Sequence, residues 1–258
     1  MGAMIERGVC RADEVVCTDK CAEVLESRRR EYGVQTRATV GETVAQTRFV
    51  FLCTKPQDVG TVMGEVRAAW RAAENDQVLV SICAGVQLAA LAALLPAGAK
   101  VVRVMPNMPC LVAMMAAGYA ASATLTDADT AAVHRMLSAA GVAYRLPEDM
   151  LDAVTGLSGS GPAYVAHLIE AFARAGEHMG LPADVAYGLS LETFRGTAEL
   201  MRAKKLDPQQ LKTIITSPNG TTFAGRNVFE ASDVADVVER TVDAGRARSV
   251  ELGLPSKH

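Results

Sequence analysis

Residues 152–165 read DAVTGLSGSGPAYV, and this stretch divides the chain. Ser158-Gly159-Ser160-Gly161 strips side-chain bulk from the backbone. Pro162 follows, where a first helical residue is favoured because its missing N–H needs no partner there. Ser160 or Gly161 can cap the helix that the apolar pattern beyond Pro162 announces. A backbone this bare admits close approach by a ligand or by another chain. An ordinary helix–helix packing turn fits the same residues equally well.

The two sides of this stretch differ in pattern. Before it, short apolar runs alternate with helical patterns. Val15-Val16-Cys17 and residues 48–54, 78–82 and 100–105 read as buried strands, with helical patterns over 20–32 and 59–73. Residues 118–123 and 143–146 add edge strands around a helix over 127–140. Such alternation argues for a parallel sheet covered on both faces. Past Pro147 the strand signals stop. Residues 163–179, 183–205 and 234–252 carry apolar positions at a 3.6-residue period. Gly180 and Pro182 separate the first two, and Asp207-Pro208 closes the second. The reading is therefore an α/β domain over 1–147 and a helical domain over 148–258, with no flexible linker between them. The helical half has more apolar positions than one small core absorbs, so a partner subunit is expected to cover the surplus.

At 258 residues, half of them hydrophobic and 21% charged, the chain falls in the globular class. A formal net charge of −3 gives no support for nucleic-acid binding. The run from Cys110 to Ala121 lacks charged or strongly polar residues but is too short to cross a bilayer. No basic-then-apolar leader opens the sequence. Cys10, Cys17, Cys21, Cys53, Cys83 and Cys110 form no CxxC pair, and no second Cys/His pair stands where Cys17 and Cys21 would need one for a metal. Reduced thiols in a cytoplasmic setting, with no metal, is the simple reading.

A second turn, Thr216-Ser217-Pro218-Asn219-Gly220-Thr221-Thr222, precedes another helix pattern from Phe223 onward. Exposed N–H groups at a helix start, flanked by hydroxyls, suit a small anion such as a carboxylate. A plain capped connection fits too. Taken together, the two turns resemble those of the pyrroline-5-carboxylate reductase family. Three further pieces match that family in order: Thr54-Lys55-Pro56-Gln57, Ser81-Ile82-Cys83-Ala84-Gly85 and Val104-Met105-Pro106-Asn107-Met108-Pro109. The resemblance spans nearly the whole chain.

It implies a Rossmann-like doubly wound sheet followed by an all-helical dimerisation domain. It also implies NAD(P)H-dependent reduction of 1-pyrroline-5-carboxylate to L-proline by a homodimer or a multiple of dimers. Residues 1–8 look like the helix just after the family's glycine motif. The first strand is thus expected to be absent from the chain as written, Gly2 is expected as the third small position, and cofactor binding is expected to be poor. The acid in Thr18-Asp19, after the second strand, favours NADH through the ribose 2′-OH. Lys20 and Arg28-Arg29-Arg30 instead suit the phosphate of NADPH, and the choice stays open. Thr54, Lys55, Pro56 and Gln57 line the cofactor by resemblance, Cys83, Ala84 and Gly85 face its nicotinamide end, and Asn107 belongs to the same set. On the substrate side the resemblance implies Glu148, Ser217, Thr221 and Thr222, with Thr222 placed to bond the ring nitrogen. After Asn107 the chain departs from the usual T-P-A-L-V-G-x-G and reads Met108-Pro109-Cys110-Leu111-Val112-Ala113-Met114-Met115. Two other readings stand beside this one: a dehydrogenase of the β-hydroxyacid type, and a non-catalytic paralogue. Of the histidines, His134 and His178 read as surface residues, His167 as a packing or interface residue, and His258 ends the chain.

Overall fold

The computed structural model describes residues 1–71 and 76–253. The chain falls into two compact units, Met1–Ser160 together with residues 244–253, and Gly161–Asp243. Residues 148–160 pack with the first unit. Leu151 is fully buried and with Val154 and Leu146 packs so tightly over Gly118 that a Cβ there would lie 2.8 Å from Val154.

The first unit opens with α1 (Gly2–Glu6), β1 (Val16–Cys17), α2 (Ala22–Tyr32), β2 (Gln35–Thr36), α3 (Val40–Ala45) and β3 (Phe49–Leu52). It continues with α4 (Val59–Ala69), β4 (Val78–Ser81), α5 (Leu88–Ala93), β5 (Lys100–Met105) and β6 (Met115–Ala121). It then adds α6 (Asp127–Ser138), β7 (Gly141–Arg145) and α7 (Leu151–Val154). The helix expected over 59–73 stops at Ala69, and its residues 72 and 73 lie outside the described ones. The ladder β3-β4-β5 is parallel, β5-β6 is antiparallel, and β6-β7 is parallel again. Side chains alternate across this sheet. Leu79 and Val101 face a core with Val44, Met63, Val66 and Leu91, while Val78, Val80, Val102 and Val104 face Tyr119, Val133 and Leu137. Helices thus bury both faces, which is why all four residues of β4 are buried, three of them apolar in succession.

β1 and β2 form a separate parallel pair. In the doubly wound order the first strand stands between the second and the fourth. The loops after β1 and β3 meet through Lys20 Nζ and Asp58 Oδ2 at 3.3 Å.

Residues 155–159 correct the reading of the opening stretch. They form a π-helical turn continuous with α7, and α8 (Gly161–His178) begins after Ser160. Small residues permit this: a Cβ on Gly159 would stand 2.5 Å from the Met105 methyl.

The second unit holds α8, α9 (Ala183–Lys204), α10 (Pro208–Ile215), α11 (Thr221–Ala231) and the start of α12 (Val234–Gly253). α8 and α9 pack closely where Gly176 faces Ala186, and Phe172 meets the Phe194 ring edge-on at 5.3 Å. Much apolar surface stays open, including Val165, Leu189 and Val228. No described helix is long and apolar enough to cross a membrane.

Candidate active site

The carboxyl ends of the parallel strands carry most of the expected cofactor residues. After β1, Thr18 is half-buried and the exposed Asp19 accepts the Cys21 N–H on its carboxylate at 2.9 Å. Lys20 is paired with Asp58, Arg28 with Glu31, and Arg29 with Glu26, so these bases near the second strand are each matched by an acid. Gly2 lies in α1 against Tyr32, where a Cβ would come within 2.6 Å of the ring. After β3, Pro56 opens a 3₁₀ turn with Lys55 and Gln57 exposed beside it.

The loop after β4 divides its roles. Cys83 is buried, and its thiol donates to the Thr54 carbonyl at 3.2 Å, tying the β3 and β4 loops together. Its side chain therefore packs inward, and only its backbone reaches the edge. Ala84 is exposed, and Gly85 adopts φ +75°, a left-handed conformation that suits glycine. The backbone of Leu252 lies against Gly85, where a Cβ would stand 3.4 Å from the Leu252 carbonyl oxygen.

Asn107 and Glu148 are engaged by the protein itself. The Asn107 amide donates to the Ser158 carbonyl at 3.0 Å and accepts the Ala116 N–H at 2.9 Å, clamping the β5 loop to the π turn. Glu148 Oε1 accepts the Leu88 N–H at 2.7 Å and pairs with Arg103 at 3.1 Å. Arg103, Asp152 and Ser249 escaped the sequence reading. The signal was available: a cation inside the apolar strand KVVRVM demands a buried carboxylate partner.

In the second unit, Ser217 to Gly220 form a turn closed by Gly220 N–H on the Ser217 carbonyl at 3.1 Å. Pro218 precedes Asn219 at φ 56°, the pattern of a turn that needs a left-handed third residue. The Ser217 hydroxyl fills the space where a Gly220 Cβ would be. α11 then starts at Thr221, with no side-chain cap on its N-terminus among the described residues and with Thr221 and Thr222 exposed. The neighbouring α10 is fully boxed: Asp207 accepts the Gln210 N–H at 2.8 Å and Gln210 accepts the Asp207 N–H at 2.9 Å.

No histidine joins either set among the described residues. His134 contacts Tyr119 at 3.4 Å, His167 lies exposed beside Glu170, and His178 ends α8, while His258 lies outside the described residues. No described group of His, Cys, Asp and Glu is arranged to hold a metal.

A sheet of this order with a bare loop at its carboxyl edge defines a dinucleotide-type α/β unit, here joined to a helical unit. Residues 148–252 match the family model for pyrroline-5-carboxylate reductase dimerisation, and residues 1–85 match one described as NADP oxidoreductase, coenzyme F420-dependent. Pyrroline-5-carboxylate reductase of Pseudomonas aeruginosa is 36% identical over 253 residues, covering 98% of this chain and 91% of the relative. A solved pyrroline-5-carboxylate reductase from Coxiella burnetii superposes with a TM-score of 0.93 at 26% identity, covering 98% of this chain and 93% of its own. The Plasmodium falciparum enzyme, solved with NADP bound, has a TM-score of 0.75 at 26% identity, covering 93% and 86%. The chain belongs to the pyrroline-5-carboxylate reductase family.

Proposed function

We propose that the protein reduces 1-pyrroline-5-carboxylate to L-proline with NADPH or NADH, and that the unboxed start of α11 holds the substrate. That start carries the reading. α11, like α2, α4 and α9, starts without a side-chain cap, and what marks its start is that the exposed Ser217, Thr221 and Thr222 bring three hydroxyls to the uncapped N–H groups. A substrate carboxylate supplies what a capping side chain otherwise would. Ser217 and Thr221 bind that carboxylate, and Thr222 bonds the ring nitrogen. The cofactor, when bound, supplies the hydride. Thr18 and Asp19 meet its adenosine ribose, Thr54, Lys55, Pro56 and Gln57 run along it, and the Cys83-Ala84-Gly85 backbone supports the nicotinamide. Catalysis is mainly positioning, because a ring imine can enter already protonated. The exposed apolar faces of α8 and α9 pair with a second copy, giving a homodimer or a multiple of dimers. The free thiols at all six cysteines suit the cytoplasm.

Thr222→Val tests the site, because it keeps the shape and removes the hydroxyl. A hydrogen bond to a charged group contributes about 1.5–3 kcal/mol, so kcat/KM for the imine should fall roughly ten- to a hundredfold. Dinucleotide affinity, followed by nicotinamide fluorescence, should barely change. Full activity in Thr222→Val removes Thr222 from catalysis and leaves Ser217 and the backbone to hold the carboxylate.

A further inference from the structure

Arg103 sits within β5 with its guanidinium almost wholly buried (7% exposed). A buried cation needs anionic partners. It has two, Glu148 Oε1 at 3.1 Å and Asp152 Oδ1 at 3.9 Å, and each of these carries a second contact. Glu148 Oε1 also accepts the Leu88 N–H at 2.7 Å, at the first residue of α5, where the Cys83-Ala84-Gly85 loop ends. Asp152 Oδ1 also accepts the Ser249 hydroxyl at 2.6 Å. Ser249 is itself buried, in the part of α12 that belongs to the first unit. One helical turn later the backbone of α12 touches the same loop: a Cβ on Gly85 would lie 3.4 Å from the Leu252 carbonyl oxygen, and one on Gly253 would lie 3.6 Å from the Gly85 carbonyl oxygen. The end of α12 and the start of α5 therefore grip one loop, and a single line of polar contacts, Ser249–Asp152–Arg103–Glu148–Leu88, runs between the two grips.

We propose that Ser249, Asp152, Arg103 and Glu148 are positioning residues whose line of contacts fixes the Cys83-Ala84-Gly85 backbone for hydride transfer. The proposal rests on the reading that this loop supports the nicotinamide. A static scaffold gains little from such a line, since apolar residues of equal volume often serve as well. Hydrogen bonds at the line's two ends, Ser249 to Asp152 and Leu88 with Arg103 to Glu148, joined by the charge of Arg103 near Asp152, instead fix the loop's place, and a small misplacement of reacting groups costs rate steeply.

The test is hydrogen exchange on the full chain, comparing Ser249→Ala with Ser249→Thr. Loss of the hydroxyl should speed amide exchange in residues 83–91 roughly tenfold, with β3 and β6 unchanged, and Thr should restore protection. Asp152→Asn, which keeps an acceptor but loses the charge, should speed the same segment. In imine reduction Ser249→Ala should lower kcat about tenfold with KM for the imine unchanged. Unaltered exchange in residues 83–91 overturns the proposal, as does equal acceleration across the whole sheet. If the unsubstituted protein reduces no imine, the functional reading fails, while the exchange result still decides whether this line holds the loop.

Discussion

In the first unit Val78, Leu79, Val80 and Ser81 are buried on both faces of β4, and even the charged Asp129 and Lys100 are taken inside in partnership. In the second unit Leu189 and Val228 stand 57% and 72% exposed, and among its described residues only Ala173, Ala186, Ser190 and Leu211 are buried. The two units obey the same hydrophobic patterning but close it differently. A sheet with helices on both faces completes its core within one chain. Long helices joined by short turns leave a second apolar face, and a face of that extent marks an association surface.

The largest effect should come from breaking that association. Val165→Glu with Leu189→Glu places two charges on the open faces of α8 and α9. Light scattering at micromolar concentration should show a dimer or larger for the unsubstituted protein and a monomer for the double variant. Val142→Glu, on the half-exposed β7 of the first unit, should leave the mass unchanged. An unsubstituted protein that runs as a monomer would end the comparison drawn between the units.

The next effect concerns the first unit's internal closure. Burial pushes the Asp129 carboxyl up, but bonds from Lys100, Thr126 and Arg48 outweigh it and hold it below the usual carboxylate range. A depressed folded-state pKa adds stability that is present above the unfolded value of about 3.9 and is lost as pH falls below it. Urea midpoints should therefore drop between pH 5 and lower values, and Asp129→Asn should flatten that slope. Asp129→Ala leaves Lys100 buried without its acid and should cost about 3–5 kcal/mol at neutral pH, with the Lys100 arm dominant because Arg48 is half in solvent. Equal midpoints for Asp129→Ala and the unsubstituted protein would remove the ion cluster from the stability of this unit.

How far the sequence reveals each unit depends on how local the causes are. Residues 78–82 and 100–105 are legible as strands because short valine-rich runs dominate them, and α6 is legible because Thr126 and Asp129 form a capping box. β2 went unread: Gln35-Thr36 has no apolar run, and only pairing with β1 makes it a strand. The antiparallel turn of β6 was equally hidden, since alternation of side chains does not encode strand direction. The glycine-rich stretch reads as a turn because glycine and serine favour turns, yet it is wound into a π turn with Gly159 packed against Met105. At the candidate site the hydroxyls of the Ser217–Thr222 turn were legible as a motif. The engagement of Asn107 and Glu148 by distant backbone groups was not, because Ser158 and Leu88 reach them only through the fold.

The smallest effect isolates backbone conformation within the first unit. Ala113 follows a 3₁₀ turn at φ 55°, a left-handed conformation that a Cβ makes costly by about 1–2 kcal/mol. It stands where the resemblance places a glycine. Ala113→Gly removes that strain but gives the unfolded chain more freedom, worth about 0.4–1 kcal/mol in the opposite direction. Relief of strain outweighs the added freedom, so the substitution should stabilise the unit by about 0.5–1 kcal/mol, read as a higher urea midpoint. Gly98 supplies the mirror experiment. It lies at φ +82° with no heavy atom within 4 Å of where a methyl would stand, so Gly98→Ala meets no clash and reports the backbone cost alone. Its midpoint should fall by a similar amount. Opposite shifts of comparable size would assign the effect to φ. A lower midpoint for Ala113→Gly would mean that the Ala113 methyl makes packing contacts worth more than the strain, and that the departure from glycine in this loop is a stabilising one.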